Sequence, residues 1–429
     1  MNIFTDLKRR EARLGRPLNV AVVGAGFLGK GLVHQLSKIQ GMCPLLVANR
    51  TLEKAQAALM ESGVDPARIV RCEDPEAARR AIESGYRVIT TQPTLPAFAP
   101  EIDALLEATG TLHIGTEVAL ASIGQGKHIV EANPEVQVTV GSFLKVKADE
   151  AGVVYSDIDG DQPGIIMNLY NYTSGLGLKP VVLGNCKGVM KRYATPLTQA
   201  AFAAKAGISP WIATAAADGT KLNLEMAIVA NAAGMKPIRT GMSGLETSLE
   251  ALLSDFQRTK LLDGPPIVEY TLGIPSGVFV IARSDDCHLQ GVFRYLKMGD
   301  GPNYLFYRPY VLCQFEAPLT VAEAVLYGTA TITPGPEKLV DVATHAKQDL
   351  RAGEPLGAIG GANHYGLIMD TGHLHEENAL PIGLAEYAEL KRDIRKDALI
   401  RFDDVVLNEE ALVVRLRKLE EKQTRSRNS

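Results

Sequence analysis

The stretch that most constrains this chain is Asn19 to Arg50, NVAVVGAGFLGKGLVHQLSKIQGMCPLLVANR. It opens with Val20-Ala21-Val22-Val23, small and mostly β-branched, which reads as a buried parallel strand. Gly24, Gly26 and Gly29 follow at G-x-G-x-x-G spacing. A helical pattern then runs from about Leu28 to Ile39, before a second apolar run from Pro44 to Ala48. Gly24 permits the tight strand-to-helix turn, Gly26 lets a pyrophosphate approach the backbone, and Gly29 lets the helix pack closely on the strand. The helix N-terminus, with Phe27 and Leu28, offers its free N–H groups to the phosphates. Glycines often mark an ordinary turn, but inside a βαβ unit this spacing predicts a dinucleotide site. An NAD site places Asp or Glu at the end of the second strand to hold the ribose 2′-OH. This chain has Asn49-Arg50-Thr51 there. A carboxylate would repel a 2′-phosphate, whereas Arg50 and Thr51 can bind one, so the expected cofactor is NADP(H). The competing reading makes Arg50 a solvated loop residue.

At 429 residues the chain exceeds one ordinary core, and two or three domains are expected. A hydrophobic content of 46% with 22% charged residues is that of a soluble globular protein. A net charge of −4 gives no whole-chain attraction to nucleic acid or anionic membrane. No stretch reads as a membrane span or signal peptide. The five cysteines (Cys43, Cys72, Cys186, Cys287 and Cys313) are scattered without C-x-x-C spacing, which argues for reduced thiols in a cytoplasm. His373 and His375 are the nearest approach to a metal cluster and read as surface residues.

From 51 to about 150 strands and helices alternate, which implies a doubly wound parallel sheet. Ala67–Arg71, Arg87–Thr91 and Lys127–Val130 read as strands, Glu101–Ala108 as a helix, and Leu112–Gly115 as a further strand. The loops at strand ends are where such sheets bind ligands. Thr91 to Thr94 is expected over the nicotinamide side, Glu131 to Glu135 near the reacting carbon, and Asp157 to Pro163 supplies carboxylates. Beyond about 164 the composition shifts. Lys187, Lys191 and Arg192 follow a strand and can grip an anionic substrate, or simply keep the surface soluble. Lys221 and Glu225 stand at i, i+4 on an otherwise apolar helix, as a surface salt bridge or, on a buried face, as an acid/base pair. Residues 266–315 read as a sheet region, Leu384–Arg395 as a helix, and the last dozen residues as a frayed helix and tail. The expected architecture is α/β throughout. It comprises a Rossmann domain over 1–163, an α+β substrate and dimerisation domain over 164–335, and a β-rich domain with tail over 336–429.

The order of features resembles the homoserine-dehydrogenase-like oxidoreductases that carry a C-terminal SAF domain. Val342 to Leu356 resembles the SAF pattern. Asn133–Lys145 (NPEVQVTVGSFLK), Asp159–Pro163 (DGDQP) and Asp218–Met226 (DGTKLNLEM) resemble the 1-deoxy-D-xylulose-5-phosphate reductoisomerase-like branch. Two departures separate the chain from homoserine dehydrogenases themselves. The loop lysine those enzymes carry is missing from Ala132-Asn133-Pro134-Glu135. On the substrate helix Lys221 and Glu225 stand with the charges exchanged. The resemblance implies a homodimer or higher homo-oligomer acting on a small anionic substrate, with no nucleic-acid or membrane partner. It implies Lys221 as electrophile and Glu225 or Glu135 as proton carrier. Asp159 or Asp161 would bind substrate hydroxyls, directly or through Mg²⁺ or Mn²⁺. Homoserine dehydrogenase-like or sugar-acid chemistry, and a catalytically silent NADP-binding scaffold, are the alternatives.

Overall fold

The structure, a computed structural model, describes residues 2–335 and 338–427. Pro336, where the third domain is expected to begin, and the last two residues of the expected tail lie outside the described residues. Compactness divides the chain into two units. Residues 1–160, 312–333 and 410–429 form one; 161–311 and 334–409 form the other.

The first unit is built on seven strands: β1 (Leu18–Val23), β2 (Met42–Ala48), β3 (Ile69–Arg71), β4 (Arg87–Thr90), β5 (Ala104–Glu107), β6 (His128–Glu131) and β7 (Tyr155–Asp157). Their order across the sheet is β3-β4-β2-β1-β5-β6-β7, and all adjoining pairs are parallel. Every residue of β1 and β2 is buried, which is why both read as unbroken apolar runs. Where Pro44 of β2 can donate no hydrogen bond, the register against β1 shifts between Val20 and Ala21. The helix Phe27–Lys38 buries Leu32, Val33 and Leu36 against this sheet. Two later segments complete the unit. The helix Cys313–Tyr327 adds Ala317, Val321 and Ala322 to the same core. The helix Leu412–Arg427 buries Val413 and Val414, and Arg417 donates from Nη1 to the Thr139 carbonyl at 3.1 Å. Of the last dozen residues, expected to be a frayed helix and tail, those up to Arg427 continue this helix.

Two expectations in this unit are corrected. Residues 104–107 are strand β5 rather than part of a helix, because all four are buried between neighbouring strands of the sheet. Leu112–Gly115 opens the helix Leu112–Gly124 instead of forming a strand.

The second unit carries a five-stranded mixed sheet: β8 (Lys179–Lys187), β9 (Leu245–Glu246), β10 (Ile267–Leu272), β11 (Val278–Arg283) and β12 (Asn303–Arg308), in the order β12-β11-β8-β10-β9. Phe256, on the helix Leu252–Arg258, packs edge-on against Phe279 with ring centroids 5.6 Å apart. The helices Gln162–Gly175 and Thr220–Ala233 also pack on this sheet. Thr220–Ala233 is buried over most of its length and faces an antiparallel pair, β13 (Val340–Ala346) and β14 (His364–Asp370). Its polar side chains satisfy that pair's backbone: Gly366 N donates to Thr220 Oγ1 at 3.0 Å and Ile368 N to Asn223 Oδ1 at 2.9 Å. The helix expected over Leu384–Arg395 is a 3-10 segment, Ile382–Tyr387, followed by β15 (Ala388–Leu390), which pairs with β16 (Val405–Leu407).

Candidate functional site

In the first unit the glycine turn sits where the sheet changes direction. β2 lies on one side of β1 and β5 on the other, and the crevice at such a switch point is where open α/β sheets bind ligands. Gly24 has φ +100°, and a Cβ there would meet the Ala108 carbonyl oxygen at 2.6 Å. A Cβ on Gly29 would fall on the Gly24 carbonyl, so both positions require glycine. A Cβ on Gly26 would meet nothing within 4 Å, and no side chain caps the Phe27–Lys38 helix that starts there. An uncapped helix N-terminus beside open space fits a pyrophosphate. Phe27 is exposed and Leu28 half-buried at this turn. Asn49 ties the turn to the end of β2: its Oδ1 accepts from Ala25 N at 2.9 Å and its Nδ2 donates to Thr51 O at 2.7 Å. Arg50 and Thr51 are exposed, and the Thr51 side chain does not cap the helix it precedes.

Thr91 follows β4, and the sheet order puts β4 beyond β2. It therefore lies on the same side of β1 as Arg50, not across the sheet as expected. Its hydroxyl donates to Glu73 at 2.9 Å. The strand-end loop on the other side of β1 is Ala108 to Thr111, whose backbone Gly24 approaches. Reading β5 as helix hid this loop, although Thr109-Gly110-Thr111 carries an ordinary turn signal.

In the second unit the candidates gather around Lys221. Its Nζ bonds to Glu225 Oε1 one helical turn away and lies 3.4 Å from Asp161 Oδ2. Glu225 is buried, and Asn185 Nδ2 donates to its other oxygen at 3.1 Å. Burial pushes the Glu225 carboxyl above the usual range, against the pull of Lys221 and with a push from Asp161. Lys187 belongs with this group rather than with the surface cations. Its ammonium donates to the Ala216 carbonyl, and burial lowers its pKa while Glu225 raises it. Lys191 is exposed. Arg192 stacks over the Tyr365 ring at 4.8 Å and donates to the Asp218 carbonyl at 3.2 Å. Asp218 itself pairs with Lys347 at 2.8 Å, both fully enclosed, and Lys347 also donates to the Ala194 and Gly361 carbonyls. Asp161, Lys187, Lys221 and Glu225 are thus one cluster, to which the structure adds Asn185.

Two candidates lie in the first unit. Glu135 is half-buried in the first turn of the helix Pro134–Ala151. Asp159 donates from its backbone N to Thr320 at 2.8 Å, and its carboxylate accepts from Gly160 N at 2.6 Å. Among the described residues no group of three or more His, Cys, Asp or Glu side chains is placed to hold a metal ion. The Asp161 and Glu225 carboxylates are bridged by the Lys221 ammonium, which does not fit them as a divalent-cation site. Among those residues, too, no helix is long and apolar enough to cross a membrane.

Fold and cluster together define a class: an α/β unit with a glycine turn at its switch point, joined in one chain to a unit holding the Asp161–Lys221–Glu225 ion-pair cluster. Residues 160–317 match the family described as "Oxidoreductase DRL, catalytic domain", a span that contains the entire Lys221 cluster. A homoserine dehydrogenase from Pseudomonas aeruginosa is 30% identical over 142 residues, which cover 32% of this chain and 28% of the length of that relative. Among solved structures, a probable dehydrogenase from Thermotoga maritima is similar over 75% of this chain and 92% of its own, with a TM-score of 0.44 and 11% identity. A myo-inositol dehydrogenase from Corynebacterium glutamicum is similar over 73% and 89%, with a TM-score of 0.41 and 9% identity.

Proposed function

We propose that the protein is an NADP-dependent oxidoreductase acting on a small, anionic hydroxy-carbonyl compound. The observation that carries this reading is Lys221 held between Asp161 and Glu225, with Glu225 biased by burial towards its acid form. The 2′-phosphate preference rests on Arg50 and Thr51, exposed at the end of β2 where an NAD site carries a carboxylate. When bound, NADPH supplies the hydride. Lys221 places a positive charge where a carbonyl oxygen becomes an alkoxide. Glu225 takes or returns a hydroxyl proton, its carboxyl raised above the usual range by burial, and Asn185 holds its second oxygen in place. Lys187, lowered by its own burial, is a second group able to exchange a proton beside Glu225. Lys191 remains the exposed cation for an anionic substrate end.

In its finer form the reaction is a reductoisomerisation of the 1-deoxy-D-xylulose 5-phosphate type. Removal of a hydroxyl proton by Glu225 starts an α-ketol rearrangement, and the resulting aldehyde is reduced. What supports this form is the resemblance of Asp159–Pro163 and Asp218–Met226 to the reductoisomerase-like branch; it asks Glu225 to act first as carboxylate and then as acid. The test is NADPH oxidation by the purified protein, with and without Mg²⁺ or Mn²⁺. The substrates are 1-deoxy-D-xylulose 5-phosphate, L-aspartate semialdehyde and a panel of sugar acids. Turnover of the sugar phosphate supports the finer form, and turnover of the semialdehyde replaces it with homoserine chemistry. Tight NADPH binding with no turnover of any of them would point to a scaffold.

A further inference from the structure

The C-terminal ends of β5, β6 and β7 carry a row of acids that this chemistry does not use. Glu107, Glu131 and Asp157 stand directly opposite one another in register, so neighbouring side chains in the row share a face of the sheet. Glu107 and Glu131 are fully enclosed. Glu107 Oε1 accepts from Thr109 N at 2.7 Å, but Glu107 Oε2 and both oxygens of Glu131 find no donor among the described residues. Two carboxylates offer only acceptors; a proton placed between them supplies the missing donor and removes the repulsion. Beside them Asn133 is enclosed, donating to Thr111 O at 3.2 Å while its Oδ1 has no partner. A Cβ on Gly115 would lie 2.9 Å from Asn133 Nδ2 and 3.1 Å from Glu107 Oε2, so Gly115 is what lets these polar groups close up.

Sheet order gives this group its relation to the dinucleotide. Phosphates at Gly24 and Gly26, with the 2′-phosphate groups at the end of β2, send the adenosine half to one side of β1. The nicotinamide half then runs to the other side, over the ends of β5 and β6. We infer that Glu107 and Glu131 form a carboxyl pair that holds a single shared proton beside the nicotinamide half, and releases it to solvent when that ring is the oxidised cation. The inference rests on the NADP reading above. The balance is simple. The reduced ring is neutral and leaves the proton in place; loss of hydride makes the ring cationic, and the pair answers with a negative charge by losing H⁺. Carbonyl reduction consumes one proton from the medium for each hydride, so this release offsets that uptake.

The surroundings favour a protonated resting pair. Burial raises Glu131 first, then the charge of Glu107 and that of Asp157. Burial raises Glu107 as well, against the lowering influence of the neighbouring Thr109, Glu131 and Asn133. Tyr155 on β7, its hydroxyl also without a partner, is raised by burial and by the same carboxylates, with a further push from Glu420 on the helix Leu412–Arg427. On that helix Arg417 pairs with Glu420 and Glu421. On the helix Leu112–Gly124, His113 pairs with Glu117 at 3.3 Å, and on Cys313–Tyr327, Glu323 feels Asp159. Glu135 lies in the first turn of Pro134–Ala151.

The experiment is calorimetric titration of the full chain with NADP⁺ and with NADPH near neutral pH, in two buffers of different ionisation enthalpy. NADP⁺ binding is expected to release up to about one proton and to tighten by up to about tenfold per pH unit, while NADPH binding releases none. Glu131→Gln and Glu107→Gln, each mimicking the protonated partner, should each abolish the release and keep NADPH binding. Equal proton exchange with both nucleotides, or release that survives in both variants, would overturn the inference. A variant that fails to fold shows itself by losing NADPH binding, and the wild-type difference between the nucleotides decides without it. Wild-type protein that binds neither nucleotide overturns the NADP reading itself, and the inference with it.

Discussion

Lys221 and Arg50 show how differently two cations of one chain are placed. Arg50 stands exposed after β2, the position proposed to meet a 2′-phosphate. Replacing Arg50 by Ala should weaken NADPH binding by about tenfold or more while leaving NADH binding unchanged, measured by fluorescence titration. Equal loss for both nucleotides would mean that Arg50 does not meet the 2′-phosphate. Lys221 is held between two carboxylates of which one is buried, so its i, i+4 partner is no surface salt bridge. The sequence shows the spacing of Lys221 and Glu225 but not which side of the helix is covered. That depended on β13 and β14, which arrive more than a hundred residues later and bury the helix by bonding to Thr220 and Asn223.

At the scale of elements, the β1 turn was legible because it is local: strand, glycines and helix are contiguous, and each glycine has its own steric reason. β5 was not. Ala-Leu-Leu-Glu is good helix-forming sequence, and it becomes a strand because β1 and β6 flank it and bury all four residues. That misreading hid the Ala108–Thr111 loop and the pairing of Glu107 with Glu131. The β13 segment hid a different element of order. Lys347, within the stretch that resembles the SAF pattern, closes the Asp218 carboxylate and two carbonyls inside the second unit. Burial raises the Asp218 carboxyl in spite of Lys347, so the pair stands on geometry more than on surplus attraction. Lys347→Met should leave Asp218 buried without its partner and destabilise the protein by about 3–5 kcal/mol, read by urea denaturation. A loss below about 1 kcal/mol would mean that the site relaxes to water.

For the whole molecule, the chain closes each unit with segments that return from far along the sequence. Hydrophobic patterning could not assign these to a domain, and the last dozen residues, so rich in charge, read as a frayed helix and tail. The same closure leaves carboxyls buried and raises their pKa values, which ties stability to pH. Glu131 binds its proton more tightly when folded than unfolded. Between the ordinary glutamate range and its raised value the folded state therefore holds more protons. This contribution is fully present below the unfolded pKa and is lost as pH rises through the folded one. Denaturation of wild type and Glu131→Gln from about pH 5 to pH 8 should show the wild type losing stability relative to the variant as pH rises. A constant difference would place the shared proton elsewhere.

The central claim, an NADPH-dependent reduction organised by the Lys221 cluster, is tested most directly by one comparison. NADPH oxidation and NADPH binding are measured side by side for wild type and Lys221→Met, with 1-deoxy-D-xylulose 5-phosphate and the other hydroxy-carbonyl compounds as substrates. The account predicts turnover by the wild type, and in the variant a fall of at least about a hundredfold with the nucleotide affinity unchanged. Undiminished turnover in the variant would contradict it, and so would a parallel loss of binding and turnover, which would make Lys221 a structural residue.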